Sequence, residues 1–184
     1  DRAVKKVGIT TVGAGDEPVL QYLLKQQGVD PTSVQYAAIG PDQAKINALK
    51  ANQVDAAILQ EPALSILEKQ GGKVLANLYD PKQAQAAFGG GYQFTGLVTT
   101  PAIIKGKAKL VQGMVDAVVQ ADRFIAANTG EAIAAKLPDQ AIVGGDRIAF
   151  ATILDQYKQA IYSPDGRIQA AEVDNVAKVQ AASG

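Results

Sequence analysis

Two carboxylates, Asp16 and Glu61, are the residues best suited to acid–base chemistry in this chain, and each follows a short apolar run that ends in a bend. Asp16 closes the loop "TTVGAGDEP", Thr10 to Pro18, in which Gly13 and Gly15 let the backbone approach a ligand closely. Glu61 closes "VDAAILQEP", Val54 to Pro62, where small apolar residues stop abruptly at Gln60. Paired carboxylates can move protons. Beside them, however, the sequence offers no nucleophile with a base. It has no His and no Cys, which removes imidazole and thiol catalysis, most zinc sites, and haem or iron–sulfur centres in their usual forms. No acidic cluster has metal-ligand spacing, and no cofactor is expected. Recognition is the simpler use of these residues than catalysis.

The loop glycines do not make a nucleotide site. The third glycine of a dinucleotide fingerprint is missing, and so is the Lys of a P-loop. Asp16 and Glu17 would already occupy the positive end of the following helix, which argues against a multiply charged anion there. Asp16 is also placed to cap that helix. Gly40-Pro41-Asp42 forms a third bend of the same kind. Singly, each bend reads as an ordinary turn, and Glu61 as a first-turn acid of its own helix.

The elements that position these bends give them a common purpose. Runs rich in Val and Ile predict strands at Val4–Thr10, Val34–Ile39, Val54–Gln60 and Lys73–Leu78. Helical spacing between them places Val19, Leu20, Leu23 and Leu24 on one face ahead of Gly28, and groups Ala44, Ile46, Ala48 and Leu49 after Pro41. A third helix follows Pro62 and ends at Gly71-Gly72. Strands alternating with helices call for parallel pairing through right-handed crossovers, so the front of the chain reads as a doubly wound α/β unit. In such a sheet ligands bind beyond the carboxyl ends of the strands. All three bends fall on that edge, and their convergence predicts a pocket.

"YDPKQAQAAFGGGYQ" breaks the alternation and marks a boundary near residue 90. "FTGLVTT", Phe94 to Thr100, predicts one more strand. The remainder predicts helices, with Leu110, Met114, Val118, Ala121 and Ile125 at helical spacing, a short helix capped by Asn128 or Thr129, two more helices, and a turn at "SPDGR" between them. The expected domains are residues 1–90, an α/β lobe, and residues 91–184, a return strand and helices.

Charge excludes one class of partner. The 184 residues carry 18 Lys and Arg against 18 Asp and Glu, so the chain has no electrostatic reason to bind nucleic acid, where phosphate neutralisation supplies most of the affinity. No apolar run approaches the roughly 20 residues that cross a bilayer as a helix. The opening "DRAVKKVGIT" does not have the form of a signal peptide.

The segments "KKVGIT…GAG", "LQYLLKQQGVDPTSVQY", "IGPDQAKINALKANQVDAAILQEP" and "YSPDGRI" resemble the solute-binding proteins of bacterial ABC importers, in the branch serving nitrate, sulfonates and taurine. The resemblance runs from Val4 to about Ile168 and is most specific from Ala44 to Pro62. It implies the type II periplasmic-binding fold, in which two lobes close on a small solute, and delivery of that solute to a membrane permease from the periplasm or from an outer-face lipid anchor. Residues 1 to about 80 match the second lobe, and the front of the first lobe has no counterpart. The chain is therefore expected to be truncated, with an uncovered first-lobe surface that invites self-association. By matching position the resemblance implies ligand contacts at Thr11, Gly13, Ala14, Gly15 and Asp16, at Gly40 and Pro41, and at Gln60 and Glu61. Many relatives have Ser or Thr where this chain has Ala14 and Asp16, so an amine-bearing or neutral solute fits better than a sulfonate or nitrate. Two other classes share the fold. A pyrimidine-synthesising enzyme would need His and Cys motifs, and a transcription regulator would need a helix-turn-helix segment; neither is present in this sequence.

Overall fold

A computed structural model describes residues 5–163 and 165–183. Val4, the expected start of the first strand, and Pro164 of the "SPDGR" turn lie outside the described residues. Strand β1 (Lys6–Ile9) is central, flanked by β2 (Gln35–Ala38) and β3 (Ala56–Ala57), all parallel in the order β2-β1-β3. Its register sets Lys6 against Gln35 and Ile9 against Ala38 on one side, and Val7 against Ala56 on the other. A parallel strand between two neighbours is covered on both faces; accordingly Val7, Gly8 and Ile9 are all buried. Gly8 admits close neighbours, since a Cβ there would lie 3.4 Å from both Ala57 and Ile39.

The crossovers are α1 (Asp16–Gln26) between β1 and β2, and α2 (Asp42–Lys50) between β2 and β3. Gly28 adopts φ +70° just past α1, where the Val29 amide reaches back to the Leu24 carbonyl at 2.9 Å. That bond closes the helix end through a left-handed residue. Helix α3 (Ala63–Lys69) follows β3, and α4 (Pro81–Phe88) is capped by Asp80, which accepts from the amides of Lys82 and Gln83.

Two expected strands do not form. Residues 73–78 and 94–100 have no strand assignment. Among the described residues no strand pairs with either segment, and β-branched composition alone cannot supply the hydrogen bonds a strand needs. The third strand is also shorter than its apolar run, although Asp55 and Ile58 still donate to β1 carbonyls on either side of it.

The second half is helical, as the spacing predicts: α5 (Pro101–Gly106), α6 (Ala108–Ala127), α7 (Gly130–Ala134), α8 (Arg147–Ile161) and α9 (Ala170–Ser183). Thr129, rather than Asn128, caps α7. One buried cluster joins Ile133, Ile142, Phe150 and Leu154 of the α7–α8 region. Another joins Val19 and Tyr22 of α1 to Phe88 and to Val179 of α9. The last helix thus packs onto the α/β unit rather than away from it. Helix α6 behaves differently: among the described residues it buries none of its own, and Leu110, Met114, Val115 and Val118 are each over 40% exposed.

Candidate functional site at the carboxyl edge of the sheet

Parallel strands deliver their carboxyl ends to one edge, and the three bends gather there. The Gly40 amide donates to the Thr10 carbonyl at 3.0 Å, joining the loop after β2 to the loop after β1. The Gln60 amide, after β3, donates to Asp42 Oδ2 at 3.1 Å, joining the third bend to the second.

Lys45 fastens the first two of them. Its side chain is only 2% exposed. Nζ lies 2.9 Å from Asp42 Oδ1, 3.1 Å from Thr10 Oγ1 and 3.5 Å from Asp16 Oδ2. A Lys is buried only when paired, and here it serves two loops of its own edge at once. Sequence reading passes over it: a Lys on a helix reads as solvated, and its partner Asp16 is 29 residues away.

Asp16 is the other half of this brace. Oδ2 accepts from the Thr10 amide at 2.7 Å and from the Thr10 hydroxyl at 2.8 Å. Its side chain does not cap α1 as expected; Gly15 takes the N-cap position without a side-chain bond. Asp16 instead turns back to the strand end, because Lys45 and the Thr10 donors converge there. Oδ1 is buried and has no hydrogen-bond partner among the described residues. Glu17 works similarly on the loop, accepting from the Gly13 amide at 2.7 Å through Oε2. Gly13 itself turns at φ +80° with open space beside its Cα.

Glu61 is buried. Oε2 accepts from the Ser65 amide at 3.2 Å and Oε1 from the Ser65 hydroxyl at 2.9 Å. Glu61 lies just before the N-cap Pro62 of α3 rather than in the helix's first turn, which holds no acid, and it reaches forward to Ser65. Burial pushes its carboxyl above the ordinary range, against the partial pull of the Ser65 bonds. The Glu61 amide donates to the Tyr79 hydroxyl at 3.3 Å, and burial raises that phenol in turn.

Of the residues implied as contacts, Thr11, Gly13, Gly15, Pro41 and Gln60 are exposed, Ala14 and Gly40 are half-buried, and Asp16 and Glu61 are buried. The exposed set forms the reachable rim, and the two carboxylates form its support. Phe94 joins the rim unannounced by the sequence. A Cβ on Gly15 would touch its ring at 3.7 Å, and the ring is 43% exposed. A chain of aromatic contacts, Tyr22–Phe88–Tyr92–Phe94, anchors it to the α1 core.

A separate cavity of about 320 Å³ lies between α6 and α8, lined by Asp122, Ile125, Lys158, Tyr162 and neighbours. It shares no residue with the three bends. No group of three or more acidic residues able to hold a metal occurs among the described residues.

The model of the NMT1-like family matches residues 2–138, and the chain belongs to that family, within the nitrate/sulfonate/taurine type of solute-binding protein. The family is mostly one of binding proteins. A solved structure of a protein from Bordetella bronchiseptica RB50 is similar in fold, with a TM-score of 0.89 at 24% identity over 97% of this chain. The chain spans 56% of the length of that protein. The architecture is that of a lobe of the periplasmic-binding type. No curated protein matches the chain in sequence.

Proposed function

We propose that the carboxyl edge of the sheet is the solute-binding face of an ABC-importer receptor, which captures a small molecule between two lobes and hands it to a permease outside the cytoplasmic membrane. The observation that carries this reading is the Lys45 brace. A buried ammonium tying the loop after β1 to Asp42 of the loop after β2, with Asp42 in turn holding the Gln60 amide after β3, supports fixed relative positions for the three bends. Pre-positioned loops lose little entropy when a ligand arrives.

The exposed face of α6 fits the same reading. Contiguous apolar surface of this kind marks an interaction face. In a two-lobed receptor it would meet the other lobe, and where that lobe is absent it would meet a second copy of the chain.

A thermal-shift screen of the full-length protein against sulfonates, amines, pyrimidines and carboxylates tests the proposal. A solute that binds only the folded state adds about 2.7 kcal/mol of stability at a hundred times its Kd, and so raises the melting temperature. Gly15→Trp should remove that rise. Gly15 sits at φ −61° and is exposed, so a bulky side chain there obstructs the rim without backbone strain. A rise that survives the substitution places binding elsewhere.

A further inference from the structure

The cavity between α6 and α8 shares no residue with the carboxyl edge and does not depend on what that edge binds. Its volume of about 320 Å³ is that of a small-molecule pocket. Ile125 and Ala126 of α6 give it an apolar floor, and Tyr162, at the end of α8, gives it an aromatic wall. One end is closed by the turn after α8. A Cβ on Gly166 would lie 2.9 Å from Val119 and 3.6 Å from Asp122 Oδ2, so that turn packs directly on α6.

The charges around the cavity are matched with one exception. Lys158 donates to Asp155 Oδ1 at 3.0 Å and to the Asn128 carbonyl at 2.6 Å. Arg167 pairs with Asp165 at 3.5 Å, and the Ser163 hydroxyl donates to the same carboxylate at 3.2 Å. Asp122 is left over. It is half-buried, and its carboxylate has no hydrogen-bond or ion-pair partner among the described residues. Its oxygens are nonetheless reachable, since the one shut-off and unpartnered side-chain atom among those residues is Asp16 Oδ1. Burial holds the Asp122 carboxyl above the ordinary range, as expected of a charge that neither water nor a partner fully serves. The Tyr162 hydroxyl is likewise unpartnered among the described residues. Its phenol is pushed up by burial first and by the charge of Asp122 second, so the two groups face the same space.

An anionic ligand would have to compete with Asp155 for Lys158 and would meet Asp122 unopposed. A neutral apolar ligand would leave that carboxylate without water or partner, which is costly. A cation answers both points, and an aromatic wall beside a carboxylate adds to its attraction. We propose that the cavity between α6 and α8 is a second ligand site, taking a small primary ammonium with a short apolar tail. Asp122 accepts from the ammonium, Tyr162 flanks it, and Ile125 and Ala126 receive the tail.

The test titrates n-butylammonium, n-butanol and n-butanesulfonate, at matched ionic strength, into the 15N-labelled full-length protein. The backbone amides of residues 122–126 and 158–163 report on the cavity. Butylammonium should shift them saturably, at a concentration about tenfold or more below either other probe. Asp122→Asn should weaken butylammonium about tenfold, and Tyr162→Leu a few-fold. Because Asp122 holds nothing in place among the described residues, Asp122→Asn should keep the melting temperature of the unsubstituted protein. Gly15→Trp should leave binding in the cavity unchanged, whereas a solute of the carboxyl edge loses its binding in that variant. Butanol binding as tightly as butylammonium overturns the cation assignment, as does equal or tighter binding of butanesulfonate. Unchanged butylammonium binding in Asp122→Asn overturns it too, and loss of binding in Gly15→Trp would move the ammonium to the carboxyl edge. No saturable shift from any probe at tens of millimolar overturns the site itself.

Discussion

Lys45 carries a full charge into a place where only 2% of its side chain meets solvent, and Asp42 and Asp16 make that tolerable. Lys45→Met would leave two carboxylates without their cation, and removing one partner of a buried pair costs about 3–5 kcal/mol. Urea unfolding should show a loss of that order, while Lys50→Met, on the exposed end of the same helix, should stay within about 0.5 kcal/mol. Glu61 supplies a pH-dependent counterpart. Its folded carboxyl titrates above its unfolded value because it is buried, so its contribution is fully present below the unfolded pKa and is lost as pH rises through the folded one. Glu61→Gln keeps an acceptor for Ser65 without the charge. The melting temperature of this variant relative to the unsubstituted protein should therefore climb between pH 4 and pH 8, as about one such group requires; a flat or falling difference would show that burial does not govern Glu61. The sequence exposes Glu61 to view, since an acid beside Pro62 at a helix start has a recognised role. It hides Lys45, whose burial depends on Asp16 and Thr10 arriving from another loop.

At the scale of elements, close approach decides which glycines are indispensable. A Cβ on Gly130 would collide with the Ala151 carbonyl oxygen, so α7 and α8 touch through it. Gly130→Ala must push the two helices apart and should cost about 1–3 kcal/mol or more. Gly113, inside α6, has nothing within 4 Å of such an atom. There Gly113→Ala should gain about 0.5–1 kcal/mol from helix propensity alone. Opposite signs in chemical denaturation would confirm both placements; equal signs would contradict them. The strands β1 and β2 and the helices around them are legible in the sequence because local pattern and tertiary partner agree. Residues 73–78 and 94–100 are similarly apolar but have no paired strand among the described residues, and pairing is a property of two segments that no single run can announce. Phe94 illustrates the consequence: freed from a strand, its ring leans on Gly15 instead.

The whole molecule combines a braced edge with a face that nothing in the described chain covers. Met114 and Val118 lie 49% and 43% exposed along α6. Charge there would disturb little within the chain, yet it would oppose any apolar cover. Met114→Glu should leave the melting temperature nearly unchanged and shift sedimentation of the 184-residue chain toward monomer. A concentration-independent monomer before substitution would count against self-association through this face. The braced edge and this face are distinct surfaces, one polar and fixed, the other apolar and open. Helical spacing in the sequence makes the apolar stripe of α6 visible, but whether another element buries it is a question of the assembled fold.

The most direct measurement of the central claim is a crystal structure of the full-length protein with a solute that raises its melting temperature. Density for that solute should touch the loop of Thr11 to Gly15 together with Gly40 or Gln60, and the bonds from Lys45 to Asp16 and Asp42 should remain in place. Density confined to the cavity between α6 and α8, with the three bends untouched, would contradict the account.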